Sequence, residues 1–255
     1  MNQLGHLLLG RYPFAQVRRR VCHNAVSIVL SVMLSASGFS AACAQVTQRA
    51  PQPIPHSAVA SGDKDIKKAW LAEPTSRYRH GVLGDAVEGL ALVVETADGP
   101  RVTVRLDDGS VFEDTTPRLA DIDGDGRDEV WTVRSNEDSG ARVEAYQLAS
   151  VGQASELQLV RRYSGPAIGQ GFRWLNPVGV ADLDGDGRRE IVWVQTPHLR
   201  GLLVAARPHG QQLEVVAVAP GYSNHSIGSS RLDLAVLADV DARPGAEVVV
   251  PDLTH

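Results

Sequence analysis

One acidic segment occurs twice in this chain, and it limits the possible folds more than any other feature. The sequence DIDGDGRDE at residues 121–129, here called the first loop, returns sixty-one positions later as DLDGDGRRE at residues 182–190, the second loop. Three carboxylates stand at alternate positions in each copy, and two glycines permit the sharp turns that bring them together. Like charges held this close raise one another's pKa or force the loop apart, unless a cation lies between them.

The oxygen donors of both loops predict calcium as that cation. Calcium takes about six to eight oxygen ligands in flexible geometry, from carboxylates, backbone carbonyls and water. By analogy with other calcium loops, the ligands are the side chains at positions 1, 3, 5 and 9 and the backbone carbonyl at position 7. The alternative is a solvated acidic turn, because Asp-Gly is a common turn dipeptide. The predicted metal ligands are Asp121, Asp123, Asp125, Arg127 and Glu129 in the first loop, and Asp182, Asp184, Asp186, Arg188 and Glu190 in the second.

An EF-hand fits neither loop. That motif needs a glutamate at position 12 and a helix on each side, whereas position 12 is Thr132 in the first loop and Trp193 in the second, with β-like flanks. A truncated copy near residues 78–88 keeps only Asp85 and Glu88 of the acidic pattern, and no metal is expected there.

A third loop, residues 239–247, is degenerate. It keeps Asp239, Asp241 and Glu247 at the outer positions, but Arg243 replaces the third carboxylate and Pro244 replaces the turning glycine. A cation at a ligand position repels calcium, so this copy is predicted to be a metal-free turn held by internal pairing.

The segments between the loops predict short strands joined by turn residues. Residues 64–72 are an exception and predict one short helical turn, and Asp108-Gly109 predicts a hairpin. A period of about sixty residues with four strands per unit indicates an all-β fold of propeller-type blades. About three blades are complete and a fourth begins, so we expect an incomplete ring or part of a longer protein. The predicted strands are residues 90–95, 102–106, 110–113, 130–134, 141–149, 157–163, 178–182, 191–195, 202–207, 212–218 and 234–239.

The Asp-x-Asp-Gly-Asp-Gly-x-x-Glu loops within sixty-residue β units resemble the FG-GAP/VCBS repeats, which form the β-propeller of integrin α subunits. The resemblance covers roughly residues 78–250 and implies a calcium ion at the edge of a blade, held by the loop positions named above. The Phe-Gly and Gly-Ala-Pro signatures of that family are not evident in this sequence.

The first 44 residues predict a secretory signal peptide, and residues 45–63 a Pro/Gln-rich tether before the repeats at 64–255. Arginines without acids precede an apolar segment at about 25–42 and a small-x-small cleavage site. A twin-arginine signal or a lipoprotein signal at Cys43 is the alternative. The chain is therefore expected to be secreted or periplasmic, without a stable membrane span.

The net charge limits the possible partners of the chain, and the cysteine positions limit its disulfides. Residues 1–44 hold four of the 25 Lys and Arg residues and no acid, which leaves 21 basic against 30 acidic residues, a net charge of −9. Nucleic acids and anionic membranes require basic surfaces, so neither is expected as a partner. Both cysteines, Cys22 and Cys43, precede the cleavage site, so no disulfide is expected in the mature chain.

Several polar and aromatic side chains on long connections predict a ligand face, since binding residues favour loops on a rigid scaffold. The alternative is that they cap strands and fill gaps between blades, and Trp131, Trp174 and Trp193 are predicted to belong to the core between blades. No nucleophile elbow or histidine metal motif occurs. We therefore expect an exported, calcium-stabilised, non-catalytic scaffold for a protein or carbohydrate ligand; the alternatives are a carbohydrate-active lyase or hydrolase and a segment of a larger adhesin. The candidate face comprises His80, Arg173, Trp174, Asn176, His225, Arg231 and Asp233.

Overall fold

The computed structural model describes residues 51–153 and 155–253. The predicted signal peptide with both cysteines, and the first residues of the predicted tether, lie outside this part of the chain. Within the described residues no helix is long and apolar enough to cross a membrane.

All regular secondary structure in these residues is β-strand, which confirms the all-β prediction. Eleven of the fifteen strands lie on the predicted segments, with bounds that differ by a few residues, whereas the strands Ala60–Ser61, Ile66–Thr75, Arg118–Ala120 and Glu247–Val249 were not predicted. The fifteen strands are β1 (Ala60–Ser61), β2 (Ile66–Thr75), β3 (Glu88–Thr96), β4 (Arg101–Arg105), β5 (Val111–Phe112), β6 (Arg118–Ala120), β7 (Glu129–Asn136), β8 (Gly140–Val151), β9 (Glu156–Ser164), β10 (Leu175–Ala181), β11 (Glu190–Gln195), β12 (Leu202–His209), β13 (Gln212–Pro220), β14 (Val236–Ala238) and β15 (Glu247–Val249).

The strands form antiparallel meanders in chain order. Strands β1 to β4 make the first meander, β6 to β9 the second and β10 to β13 the third, while β14 and β15 form a separate pair. The meanders are joined by short contacts: β5 bridges β3 and β7, and β13 meets β9 through the single parallel pair Gln212 and Ser164. Each meander is therefore a nearly independent hydrogen-bonded unit.

The two larger apolar clusters lie on the two faces of the second meander, and a small third cluster belongs to the first meander. Along β7, Val130 belongs to a cluster shared with the first meander, whereas Trp131 and Val133 belong to a cluster shared with the third. Successive side chains of a strand point to opposite faces, so this meander is covered on both sides. Trp131 and Trp193 are each 1% exposed, as predicted for core residues, and burying one such side chain contributes about 1.5–3 kcal/mol.

The prediction of a helical turn at residues 64–72 is wrong, because β2 occupies most of this segment. The pairing of β2 with β3 shifts between Ile66 and Lys68. This β-bulge places Ile66, Ala69 and Trp70 at buried positions, a spacing that imitates a helical period.

The predicted hairpin at Asp108-Gly109 is also wrong in its pairing. A turn occurs there, with Gly109 at φ 85°, but β4 pairs with β3 and the returning strand β5 pairs with β3 and β7. The described end of the predicted tether is packed as well: Ile54 is buried and Pro53 bridges to Ala72.

All three acidic loops are hairpin connections with the same register. The residue before each loop pairs with the glutamate that ends it: Ala120 with Glu129, Ala181 with Glu190 and Ala238 with Glu247. The glutamate is therefore fixed by a strand, and it folds back over a turn closed by the ladder.

Candidate functional site

The structure brings together the acids at positions 1, 3 and 9 of every loop. Within each group, one oxygen per residue lies within 4.8 Å of the others. The third carboxylates, Asp125 and Asp186, lie outside these groups, and the carbonyls of Arg127 and Arg188 remain predicted ligands. The groups are Asp121, Asp123 and Glu129; Asp182, Asp184 and Glu190; and Asp239, Asp241 and Glu247.

Each loop is held in shape by hydrogen bonds from its own backbone to its own acids. The glutamate at position 9 accepts the amide hydrogen of position 2 in every copy: Ile122 to Glu129 at 2.8 Å, Leu183 to Glu190 at 2.9 Å and Val240 to Glu247 at 2.9 Å. Positive φ angles at position 4 complete the turn, at Gly124 (78°), Gly185 (74°) and Ala242 (57°). The degenerate third loop therefore keeps the conformation, although alanine is strained at this position.

In the first loop, side chains from other segments neutralise part of the acidic charge. The Lys64 ammonium donates to Asp121 at 2.8 Å. Arg162 and the Tyr163 hydroxyl donate to Asp123 at 3.1 and 2.6 Å. Burial opposes ionisation of Asp121 and Asp123, but these donors and the loop amides hold the pKa of both below the ordinary value.

Three buried carboxylate oxygens of the first loop have no hydrogen-bond partner within the described structure, and two of them, Asp121 Oδ1 and Glu129 Oε1, belong to predicted ligands; the third is Asp128 Oδ2. Asp121 is 8% exposed and Glu129 0%. Burial, together with the charges of the three loop aspartates, raises the pKa of Glu129 to about 7. An unpaired buried carboxylate is costly, and a hard cation satisfies such oxygens, so the first loop fits calcium.

The second loop is neutralised differently, by one arginine. The Arg207 guanidinium contacts the acids at positions 3, 5 and 9 of this loop: Asp184 at 2.7 Å, Asp186 at 3.0 Å and Glu190. Its hydrogen bond to Glu190 raises the pKa of Arg207 further. Glu190 Oε1, the counterpart of the unpaired Glu129 Oε1, is therefore occupied by a protein cation.

The contrast between the loops follows from one cross-strand position. Ile191 pairs with Ala206, and Val130 pairs with Tyr146. Because the strands are antiparallel, the neighbouring positions place Arg207 opposite Glu190 and Gln147 opposite Glu129. Gln147 donates to Asp125 Oδ2 at 2.8 Å. A neutral amide thus stands in the first loop where a guanidinium stands in the second.

In the third loop, Arg243 pairs with Asp241 at 3.5 Å, in agreement with the predicted internal pairing. This pair is largely open to solvent, with the Arg243 side chain 83% exposed. Its acids still converge as in the other loops.

Successive loops also contact one another. Arg189 of the second loop donates to the backbone carbonyl of Asp121, at position 1 of the first loop. The amide of Ala246 in the third loop donates to the carbonyl of Asp182, again at position 1, at 2.8 Å. The starts of the first and second loops are therefore each bonded to the loop that follows in the chain.

The predicted ligand face is only partly brought together. His80, Arg173 and Trp174 line one cavity with His198, and His225 contacts His198. Asn176 is buried and donates to the carbonyl of Asn224 at 3.1 Å, which makes it structural. Arg231 and Asp233 pair with each other at 3.2 Å beside a different cavity.

Lys64, Arg162 and Arg207 were missed by sequence reasoning, because they reach the loops from other strands and connections. Only Arg207 had a usable signal, its position opposite Glu190 in the next strand. The pair formed by His80 and Glu113 was missed as well.

The comparisons with known proteins agree with this geometry. Residues 121–193 match the FG-GAP-like repeat family, a segment that begins at Asp121 and runs past the end of the second loop. No curated protein matches the chain.

Proposed function

Because residues 121–193 form an FG-GAP-like repeat, which is an interaction module, we propose that this chain is an exported, calcium-binding and non-catalytic scaffold for a protein or carbohydrate ligand. Export rests on the sequence of residues 1–44. The scaffold role is supported by the repeated meanders, which present long connections on a rigid β framework.

The observation that carries the calcium proposal is that two predicted ligands of the first loop have unpaired buried oxygens, Asp121 Oδ1 and Glu129 Oε1. Asp121, Asp123 and Glu129 would hold the ion, with Asp125 and the Arg127 carbonyl as further predicted ligands. Bound calcium would supply the positive charge that offsets these carboxylates. Its role would be structural, since the loop closes the hairpin of β6 and β7.

The second loop makes a weaker calcium site than its sequence suggests. Asp182, Asp184 and Glu190 converge as in the first loop, but Arg207 already supplies a cation. An incoming ion must displace the guanidinium or share the carboxylates with it. We therefore propose that calcium binds the first loop more tightly than the second.

The meanders support a propeller-type architecture. Each complete meander has four antiparallel strands, the second is covered on both faces, and the β14 and β15 pair has the register of a further repeat. We propose that the meanders are blades and that the β14 and β15 pair begins a fourth.

Calcium titration of the purified chain tests the metal proposal. Isothermal titration is expected to show binding, and the melting temperature is expected to rise in millimolar calcium relative to chelator by mass action. Identical melting curves in both conditions would refute calcium binding.

Matched glutamine variants locate the ion. Glu129→Gln keeps the acceptor for the Ile122 amide but removes the buried charge, and it is expected to abolish the tightest calcium site. Glu247→Gln makes the same change in the degenerate third loop and is expected to leave calcium binding by the first loop unchanged. Equal effects of the two variants would contradict the assignment to the first loop.

A further inference from the structure

A second candidate site lies away from the acidic loops, where several connections meet. The cavity has a volume of about 150 Å³ and is lined by residues from the β2–β3, β9–β10, β11–β12 and β13–β14 connections. These connections are fixed to one another: Gly228 donates its amide to the Val82 carbonyl at 2.9 Å, and Phe172 donates its amide to the Tyr78 hydroxyl at 3.1 Å. The cavity is therefore built on a rigid frame.

Three large apolar side chains surround the cavity and are exposed: Phe172 (40%), Leu199 (57%) and Ile227 (74%). Phe172 stacks on the buried Tyr78, with ring centroids 5.1 Å apart. Convergence of exposed apolar groups on one cavity is typical of a binding site.

The backbone at the cavity is strained. Phe172 and Thr196 have φ angles of 53° and 50°, in the left-handed region that residues with a Cβ rarely adopt. Both residues line the cavity. Such strain persists only where the surroundings enforce it, and it concentrates at ligand sites.

The hydrogen bonds of His225 and His198 determine which ring nitrogen of His198 donates and which one accepts. His225 Nε2 lies 2.7 Å from the Ser229 carbonyl, which can only accept, so this nitrogen carries a hydrogen. Burial lowers the pKa of His225, so the ring is neutral and its Nδ1 accepts. His198 Nε2, 2.8 Å from that Nδ1, is consequently the donor.

His198 is left with a free lone pair at Nδ1. Burial, and then the neighbouring His225, lower the pKa of His198 to about 4, so at neutral pH the ring is uncharged and Nδ1 is an acceptor. Nothing in the described structure donates to it. The ring is held in place by stacking on Trp174, with centroids 6.5 Å apart.

Donors stand at the same cavity. Arg173 uses one guanidinium nitrogen on the Phe172 carbonyl at 2.9 Å and keeps further N–H groups. His80 is oriented by the buried Glu113, with Nδ1 2.6 Å from Oε1. No acid lines the cavity, and none of these histidines belongs to a three-ligand metal group in the described residues.

We propose that this cavity binds a phenolic ring, whose hydroxyl donates to His198 Nδ1 and accepts from Arg173 while its ring contacts Phe172, Leu199 and Ile227. A volume of this size accommodates a single six-membered aromatic ring. A phenol both donates and accepts, which matches a cavity lined by an imidazole acceptor and a guanidinium donor. The ring can come from a free small molecule or from a tyrosine of a partner.

Titration with a matched ligand pair tests this proposal on the wild-type chain. 4-Methylphenol is expected to bind, and 4-methylanisole, which keeps the oxygen acceptor but carries a methyl group in place of the donor hydrogen, about tenfold more weakly, because it leaves the histidine acceptor unpaired. Equal affinity for the two, or no binding of 4-methylphenol, would overturn the proposal.

Variants test the residues. His198→Phe keeps the ring stack and removes Nδ1, so the affinity for 4-methylphenol is expected to fall about tenfold, to the level of the anisole. Ile227→Asp, at an exposed position, is expected to weaken both ligands. His209→Phe is the control, because the His209 side chain is 81% exposed at the end of β12 and remote from the cavity lining. Unchanged binding by His198→Phe would refute the assigned acceptor.

Two further arms identify the source of the ring and separate this proposal from the calcium proposal. Tighter binding of acetyl-Gly-Tyr-Gly-amide than of 4-methylphenol supports a partner's tyrosine, and the reverse supports a small molecule. The inference deepens the proposed scaffold role, so each titration is repeated in chelator and in calcium, and loss of metal binding and loss of phenol binding are scored separately.

Discussion

The cross-strand position opposite the loop glutamate is expected to decide how many calcium ions the chain binds. Exchanging the two residues tests this directly. Arg207→Gln removes the guanidinium that contacts Asp184, Asp186 and Glu190, and Gln147→Arg introduces one beside Asp125, where the amide now donates at 2.8 Å.

The size of the effect in the first loop follows from Coulomb's law. A guanidinium about 4 Å from a divalent ion, screened as in water, raises the free energy of the bound state by about 2 kcal/mol. That corresponds to a loss of about thirtyfold in calcium affinity for Gln147→Arg. Lower local dielectric would enlarge the effect, and added salt would reduce it. Arg207→Gln is expected to act in the opposite direction and to strengthen the second site.

Isothermal titration in low salt measures both the affinity and the number of sites. Gln158→Arg and Arg105→Gln make the same changes of charge on other strands, and they are expected to leave the site count unaltered. If Gln147→Arg binds calcium as tightly as the parent chain, or if Arg207→Gln shows no gain in the second loop, the role given to this position is incorrect.

Three further predictions concern folding. Burial, with Glu113 and other acids nearby, raises the pKa of Glu88 from 4.5 to about 9. The folded state therefore binds the proton more tightly than the unfolded state, and the free energy of unfolding is expected to fall by about 1.4 kcal/mol per pH unit as pH rises between these values. Denaturant unfolding of Glu88→Gln should show this slope removed, and an unchanged slope would contradict the role given to Glu88. Glu144 is 0% exposed and pairs with Arg134 at 3.0 Å, so Glu144→Gln is expected to cost about 3 kcal/mol in urea unfolding, and a loss below about 1 kcal/mol would count against a buried pair. A Cβ at Gly140 would clash with the Gln170 carbonyl, whereas one at Gly152 meets nothing within 4 Å. Both glycines have positive φ, so thermal melting should show a larger loss of stability for Gly140→Ala than for Gly152→Ala, and equal losses would refute the steric argument.

Local features were accessible from the sequence, because their residues are adjacent in the chain. The acids of each loop lie within nine positions, and the turn conformation depends on glycines in the same segment, so convergence at positions 1, 3 and 9 could be predicted. Eleven of the fifteen strands followed from alternation and turn residues. The burial of Trp131 and Trp193 was predicted as well.

The partners of the loops were not accessible, because they are contributed across the sheet. Lys64 reaches Asp121 from a segment fifty-seven positions away, and no pattern in the sequence links them. The β-bulge in β2 had the opposite effect, since one shifted residue gave a strand the spacing of a helix. The third carboxylates were expected beside the others and instead lie outside the groups, Asp125 being paired with Gln147.

The bonds between successive loops give the array a direction. The opening carbonyl of the first loop accepts from Arg189, and that of the second from Ala246, so each of these two loops is bonded to the loop that follows it. Duplication of a whole sixty-residue unit would reproduce this hydrogen bond between loops, while an insertion within a unit would separate a carbonyl from its donor. Such a chain can therefore lengthen during evolution by whole units, whereas the addition of part of a unit would leave a loop carbonyl without its donor.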